Sequence, residues 1–258
     1  MPDRGNGNGV VAFVPARGGS TGIPRKNLQD LAGAPLVAHA IGQGLASERI
    51  DRVVMTSEDA EIRGVGSRYG AEVISRPDDF IHDNTTQEVD RLLMWCVEEL
   101  ESRGERVDVG VLLYATSPLR LPGTIDEAVR LVTEGGCDSA LTLTEDSTYL
   151  WRRTGETATP INYDPKTRGP RQKEAWNQWA ENKAVYAFRR DLLMDTGCRL
   201  GGRIGVVEMD GWRSVDVDRP DDLELVRTLW SLRSGELHPP PSPVARDSGN
   251  GAGRWETG

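Results

Sequence analysis

The sequence predicts an α/β protein built on a mostly parallel sheet with helices on both faces. Two observations carry this expectation: short β-branched, apolar runs recur along the chain, and they alternate with segments whose apolar residues fall at helical spacing. Strands that alternate with helices of about 10 to 15 residues assemble as βαβ units. Right-handed crossovers then place helices on both sides of the sheet. No internal repeat is visible.

The first run, VVAFVP (10–15), is almost continuously apolar, as a strand buried on both faces should be. PLVAHAIGQGLAS (35–47) has helical spacing and a proline suited to a first turn. DRVVMTS (51–57) is read as a strand, EDAEIRGVGSRYG (58–70) as a short helix and AEVISRP (71–77) as a third strand. The clearest helix covers 85–103, where Val89, Leu92, Leu93, Cys96, Val97 and Leu100 make one apolar stripe. A buried strand, VDVGVLLYA (107–115), leads into the proline-punctuated loop TSPLRLPGT; a helix over 124–134 and the strand DSALTLT (138–144) follow. Residues 145–183 break the rhythm, with aromatics around TYLWRR and AWNQWAEN, and are read as a lid or a dimer arm. The alternation resumes with AVYAFRRDLL (184–193), RIGVVEMD (203–210) and RSVDVDRPDDLELVRTLWSL (213–232). One domain over 10–233 is expected, between an N-terminus (1–9) and a Gly-, Pro- and Ser-rich tail (234–258) that are both expected to be disordered.

With 258 residues, 37% of them hydrophobic and 28% charged, the chain is of the soluble globular class. A net charge of -9 argues against a general nucleic-acid binder. No segment approaches the roughly 20 apolar residues of a membrane span, and no apolar leader precedes the first strand, so a cytoplasmic location is expected. Cys96, Cys137 and Cys198 have neither zinc-ligand spacing nor a disulfide framework and are expected to be reduced. His39, His82 and His238 show no metal or triad spacing and are read as structural or surface residues.

Two stretches carry chemistry. VPARGGSTGIPRKN (14–27) follows the first strand, and it holds Lys26, the sole lysine of the first 165 residues. In parallel α/β sheets ligands bind outside the carboxyl ends of the strands. Gly18, Gly19 and Gly22 would let backbone N–H groups approach a phosphate, Arg17 would hold it bidentately and Lys26 would act as a point charge. The stretch matches neither G-x-x-x-x-G-K-[ST] nor G-x-G-x-x-G, which disfavours a P-loop ATPase and a dinucleotide dehydrogenase. A plain surface turn has the same composition, so both readings stay open. The second stretch is SVDVD (214–218). On an extended segment Asp216 and Asp218 point to the same face, a donor set suited to Mg²⁺ together with substrate phosphates. An exposed pair at a sheet edge would look the same.

ARGGSTGIPRKN resembles the signature loop of the CMP-sugar synthetases, cytidylyltransferases that activate acidic sugars such as sialic acids with CTP. TSEDAEIRGVGSRYGAEVISRP (56–77), LLYATSPLR (112–120), CDSALTLTE (137–145), PRQKEAWNQWAENKAVYAF (170–188) and RSVDVDRPDDLELV (213–226) follow the family's pattern in order, so the resemblance covers about residues 10–230. It implies the Rossmann-like nucleotidyltransferase fold, a homodimer to which the mid-chain excursion contributes, and CMP transfer with release of pyrophosphate. By position it implies Arg17, Lys26, Asp216 and Asp218 as catalytic residues and the two aspartates as Mg²⁺ ligands. CTP would be bound by Ala16, Arg17, Gly18, Gly19, Ser20, Lys26, Asn27, Arg76, Thr85 and Thr86, and the acceptor by Tyr114, Thr116, Ser117, Arg171 and Gln172. Asp83 matches a family aspartate and is read as a cap of the long helix.

Three stretches depart from the family. Thr21 replaces a usual lysine, so the leaving pyrophosphate is expected to rest on Arg17, Arg25 and Lys26. Tyr114 and Ala115 replace Gln-Pro on the acceptor side, and Asn182-Lys183 replaces Asn-Gly. The exposed-looking pair Arg152 and Arg153 offers cations for an acceptor carboxylate or phosphonate, or is simply solvated. The alternatives to a nonulosonic acid acceptor are a different 2-keto sugar acid, a phosphonate, or a relative that binds nucleotide without catalysis.

Overall fold

In chain order the elements are β1 (Val10–Pro15), β2 (Asp30–Leu31), β3 (Ala34–Pro35), α1 (Leu36–Ala46), β4 (Arg52–Ser57), α2 (Ala60–Arg68), β5 (Glu72–Ser75), α3 (Thr86–Ser102), β6 (Val109–Leu112), α4 (Thr124–Thr133), β7 (Ser139–Glu145), β8 (Trp151–Thr154), β9 (Thr157–Pro160), β10 (Trp179–Arg189), α5 (Arg190–Thr196), β11 (Ile204–Glu208) and α6 (Pro220–Arg233). They come from a computed structural model that describes residues 9–77, 80, 86–169 and 176–244.

Seven strands form one sheet in the order β11-β7-β10-β6-β1-β4-β5. β1 pairs in parallel with β4 and β6, β4 with β5, and β7 with β11. β10 alone is antiparallel, to β6 on one side and β7 on the other. The alternation of side chains along β1 divides the core. Val10, Ala12 and Val14 join α1, α2 and α4 on one face, while Val11 and Phe13 join α3 and α5 on the other. A third apolar cluster unites Ile23, Leu31, Leu36, Leu119 and Val217 with Leu223, Val226 and Trp230 of α6. This cluster brings the residue between the two aspartates beside the loop after β1.

Local chemistry fixes the helix ends near that edge. The Asp59 carboxylate accepts from the N–H groups of Glu61 (2.9 Å) and Ile62 (3.0 Å), capping α2. Pro220 opens α6. The Asp222 carboxylate reaches back to the N–H groups of Asp218 (3.0 Å) and Arg219 (2.7 Å), which fixes the backbone at Asp218.

The stretch 184–193, where the alternation is expected to resume, holds the end of β10 and the start of α5. One expectation is corrected. The tail expected to be disordered from Ser234 is placed as far as Val244: Leu237 is buried, Pro241 packs on Gly42 of α1, and the Val244 N–H donates to the Arg68 carbonyl (2.8 Å). Proline depresses regular hydrogen bonding without preventing apolar contact. Residues 1–8 and 245–258 lie outside the described residues. The excursion contains a separate two-stranded ribbon, β8 and β9, whose residues are largely exposed. The three cysteines are free. His39 is structural as expected: its ring contacts the Leu31 carbonyl (2.8 Å) and meets Trp230 edge-on.

Candidate active site

β1, β4 and β6 run parallel, so the loops leaving their carboxyl ends meet at one edge of the sheet. A cleft of about 460 Å³ opens there. Its walls include Arg17, Ser20, Gly22, Lys26 and Asn27 from the loop after β1 and Arg76 after β5. Glu88, Val89 and Leu92 of α3, Tyr114, Ala115 and Thr116 after β6, and Asp218 and Arg219 before α6 complete them.

The two stretches singled out in the sequence meet here across 192 positions, through an ion pair in which Lys26 Nζ donates to Asp218 Oδ1 (2.9 Å). Gly22 shows why the loop needs glycine: a Cβ there would sit 2.1 Å from the Asp218 carbonyl oxygen. Val217 is fully buried, and its N–H donates to the Thr116 carbonyl (2.8 Å), so the aspartate segment is fastened to the loop after β6. Asp216 receives a second lysine, with Lys183 Nζ 2.7 Å from Oδ2. Burial would push the Asp218 carboxyl up, but Lys26 beside it, with further help from Lys183 and Asp216, holds it below the ordinary carboxylate value. Lys183 is pushed above the ordinary lysine value, chiefly by its hydrogen bond to Asp216.

A divalent cation can be tested against this donor set. Asp216 Oδ1 is buried with no hydrogen-bond partner among the described residues. A hard anionic oxygen left without a proton donor, beside a second carboxylate, fits Mg²⁺. Among the described residues no group of three His, Cys, Asp or Glu could hold a metal ion.

Other expected site residues divide into those in the cleft and those behind it. Asn27 is buried, with its amide donating to the Arg17 carbonyl (2.8 Å), and so sets the turn of the loop. Arg76 is 8% exposed, and burial lowers its pKa. Tyr114 faces the cleft, and burial raises its phenol pKa. Three residues expected to touch ligand do not line the cleft. Ala16 belongs to the core. The Gly18 N–H is taken by Glu58 Oε1 (2.6 Å). Ser117 is buried, its hydroxyl facing the Asn182 carbonyl at 3.5 Å. Gly19 is exposed and outside the cleft lining. Arg25 is also corrected: its guanidinium is paired with Asp59 and, at 2.5 Å, with Glu61 at the start of α2, away from the cleft. Arg152 and Arg153 are exposed on β8 and do not line the cleft. Thr85, Arg171, Gln172, Asp83 and His82 fall outside the described residues, as does the side chain of Thr86.

Sequence reading missed the polar frame behind the cleft. Arg120 is fully buried; it donates to the carbonyls of Ala184 and Tyr114 (2.6 Å each) and to Gln43 Oε1 (2.8 Å). Burial pushes its pKa down to about 9. Asn182 is likewise buried; its oxygen accepts from Thr142 Oγ1 (2.6 Å) and its amide donates to Ser214 Oγ (3.1 Å). In the sequence Asn182 stands out only as part of the Asn182-Lys183 departure, which does not show that its side chain is buried.

The comparisons with known proteins bear on the family and the fold. A family model described as cytidylyltransferase matches residues 11–194. The chain belongs to the cytidylyltransferase family. Among family relatives, a pseudaminic acid cytidylyltransferase of Campylobacter jejuni is 38% identical over 224 residues, covering 86% of this chain and 96% of its own. An N-acylneuraminate cytidylyltransferase A of Danio rerio is 31% identical over 221 residues, covering 84% of this chain but 50% of its own. The chain thus spans about half the length of such longer relatives. A solved CMP:2-keto-3-deoxy-manno-octonic acid synthetase in complex with CTP superposes with a TM-score of 0.64 at 19% identity, covering 87% of this chain and 99% of its own. That likeness speaks to the fold, and it matches the mostly parallel sheet expected from the sequence.

Proposed function

We propose that this cytidylyltransferase-family protein transfers CMP from CTP to an acidic sugar of the nonulosonic class, with release of pyrophosphate. The observation that carries the proposal is the meeting of Lys26 with Asp218 at the mouth of the loop after β1. It joins a cationic glycine turn to Asp218 in one cleft, with Asp216 behind the wall. The acceptor class comes from the relatives, which are named for N-acylneuraminate and pseudaminic acid.

In the proposed reaction an acceptor hydroxyl oxygen forms a bond to the α-phosphorus and loses its proton to solvent, while the bond from that phosphorus to the bridging oxygen of the β-phosphate breaks and pyrophosphate leaves. Arg17 and Lys26 would balance charge on the phosphates. Thr21 carries no charge and Arg25 is tied to Asp59, so the described loop has fewer cations for the leaving group than the sequence suggests. Asn27 and Arg76 would stand on the nucleoside side, Tyr114 and Thr116 on the acceptor side. Asp216 and Asp218 would hold Mg²⁺, which when bound would neutralise phosphate charge and orient the triphosphate.

A homodimer and a cytoplasmic location belong to the same reading. Leu150, Trp151 and Ile161, all exposed apolar residues, gather beside the β8–β9 ribbon and support its use as a dimer arm. Among the described residues no helix is long and apolar enough to cross a membrane.

The test is pyrophosphate release from CTP with a panel of acceptors: N-acetylneuraminate, pseudaminate, 3-deoxy-manno-octulosonate and a phosphonate. Release with one of the nonulosonic acids is expected. Release with the phosphonate alone would replace the acceptor class, and binding of CTP with no turnover of any acceptor would make the protein a nucleotide-binding relative.

A further inference from the structure

Lys183 has a backbone that a lysine rarely adopts and a side chain aimed at the carboxylate pair. Its φ is +59°, in the left-handed region that favours glycine. The pairing of β10 with β7 breaks register between Glu181 and Tyr186, so Lys183 sits in a bulge. Bulges re-aim side chains, and strained backbone persists where surrounding contacts over-determine it. Those contacts are present on both sides. The Asn182 oxygen accepts from the Ala184 N–H (3.2 Å), and Arg120 holds the Ala184 carbonyl. The bulge delivers the Lys183 ammonium to Asp216 Oδ2 at 2.7 Å.

The consequence is electrostatic. Asp216 and Asp218 carry two negative charges, and Lys183 and Lys26 answer them with two positive ones. A carboxylate pair neutralised in this way has little attraction for a divalent cation, and an ammonium beside it repels one.

We propose that Lys183 is the resident counter-ion of the Asp216–Asp218 pair and keeps the divalent cation off the nucleotide-free protein, so that metal enters only together with the nucleotide's phosphates. This rests on the reading of the two aspartates as the metal site. When a triphosphate arrives, its negative charge draws both the cation and the ammonium, and Lys183 is long enough and half-exposed enough to move.

The experiment is Mn²⁺ retention by the full-length protein in equilibrium dialysis, with and without CTP, the Mn²⁺ carried by CTP alone being subtracted. Lys183→Gly suits the left-handed backbone and removes the charge; Lys183→Arg keeps the charge. Without nucleotide, Lys183→Gly is expected to bind Mn²⁺ about tenfold or more tightly than wild type, and Lys183→Arg as weakly as wild type. With CTP the difference narrows. Asp216→Asn separates the two ideas. If Asp216→Asn abolishes CTP-dependent retention while Lys183→Gly binds Mn²⁺ no better than wild type, the metal site stands and the counter-ion role is overturned. If CTP-dependent retention survives Asp216→Asn, the metal site is elsewhere and the proposal fails with it. Tight binding of Mn²⁺ by the nucleotide-free wild type would also overturn it.

Discussion

The two walls of the cleft are built by different means. The wall after β1 is one continuous stretch, 16–27, whose cleft-facing groups and glycines are neighbours in sequence. The opposite wall is assembled from residues 114–116 and 218–219, with Asp216 and Lys183 behind it, and these are held in place by buried polar contacts from Arg120 and Asn182. The first wall can be read from a dozen letters. The second exists only after folding, and its geometry depends on groups that never face the cleft. The difference teaches where substitutions should hurt: charge removal on the first wall should act on turnover, and frame removal behind the second should act on stability.

The largest effect should separate two cations of the same loop. Lys26→Ala is expected to lower kcat/KM for CTP by about 10²- to 10³-fold, the usual loss when a charge-stabilising donor is removed. Arg25→Ala, which removes a contact to α2 alone, should lower it by less than about tenfold. Equal losses would erase the distinction between Arg25 outside the cleft and Lys26 within it.

Behind the second wall, Arg120→Met should cost about 3–5 kcal/mol of stability in urea denaturation. It would leave the carbonyls of Tyr114 and Ala184 and the Gln43 oxygen buried without donors. Between the walls, Gly22→Ala forces a Cβ against the Asp218 carbonyl, which should cost about 1–3 kcal/mol and raise the KM for CTP. A neutral Gly22→Ala would mean that the walls approach each other less closely than the 2.1 Å contact implies.

The smallest effect is in the pH dependence of stability. The Asp218 carboxyl is held below its ordinary value, so its contribution is present above about pH 4 and is lost as pH falls through the depressed value. Lys183 is raised, so its contribution is present below about pH 10.4 and is lost as pH climbs through the raised value. The stability difference between wild type and Lys183→Met should therefore be flat near neutrality, below about 1 kcal/mol because the lysine is half exposed, and should vanish in strong alkali. Thermal denaturation across pH reads this directly.

The same contrast explains what was legible in the sequence. β1, β4, β6 and their helices follow from unbroken apolar runs and helical periodicity, because burial on both faces leaves a local mark. The direction of β10 does not, since it depends on where the excursion over 145–183 returns the chain to the sheet. Lys26 and the aspartate pair were legible as residue types, and the fold supplies their contact. Arg25 is not separable from Lys26 by sequence, because the acids that pair with it, Asp59 and Glu61, lie more than 30 residues away at the start of α2. The motif points to Ser117 as a ligand contact, yet the residue is buried, because a motif marks importance without marking which way a hydroxyl points. Composition suggests disorder over 234–244, while the segment's position comes from apolar contact with α1.

The central claim is that the loop after β1 and the Asp216–Asp218 pair form one CMP-transfer site. Its most direct test is CTP-dependent pyrophosphate release by wild type and by Asp216→Ala, measured with the nonulosonic acid that serves best as acceptor. The account predicts release by the wild type and a loss of about 10³-fold or more in the variant, with the variant still folded by circular dichroism. Turnover by a folded Asp216→Ala protein at the wild-type rate would contradict it.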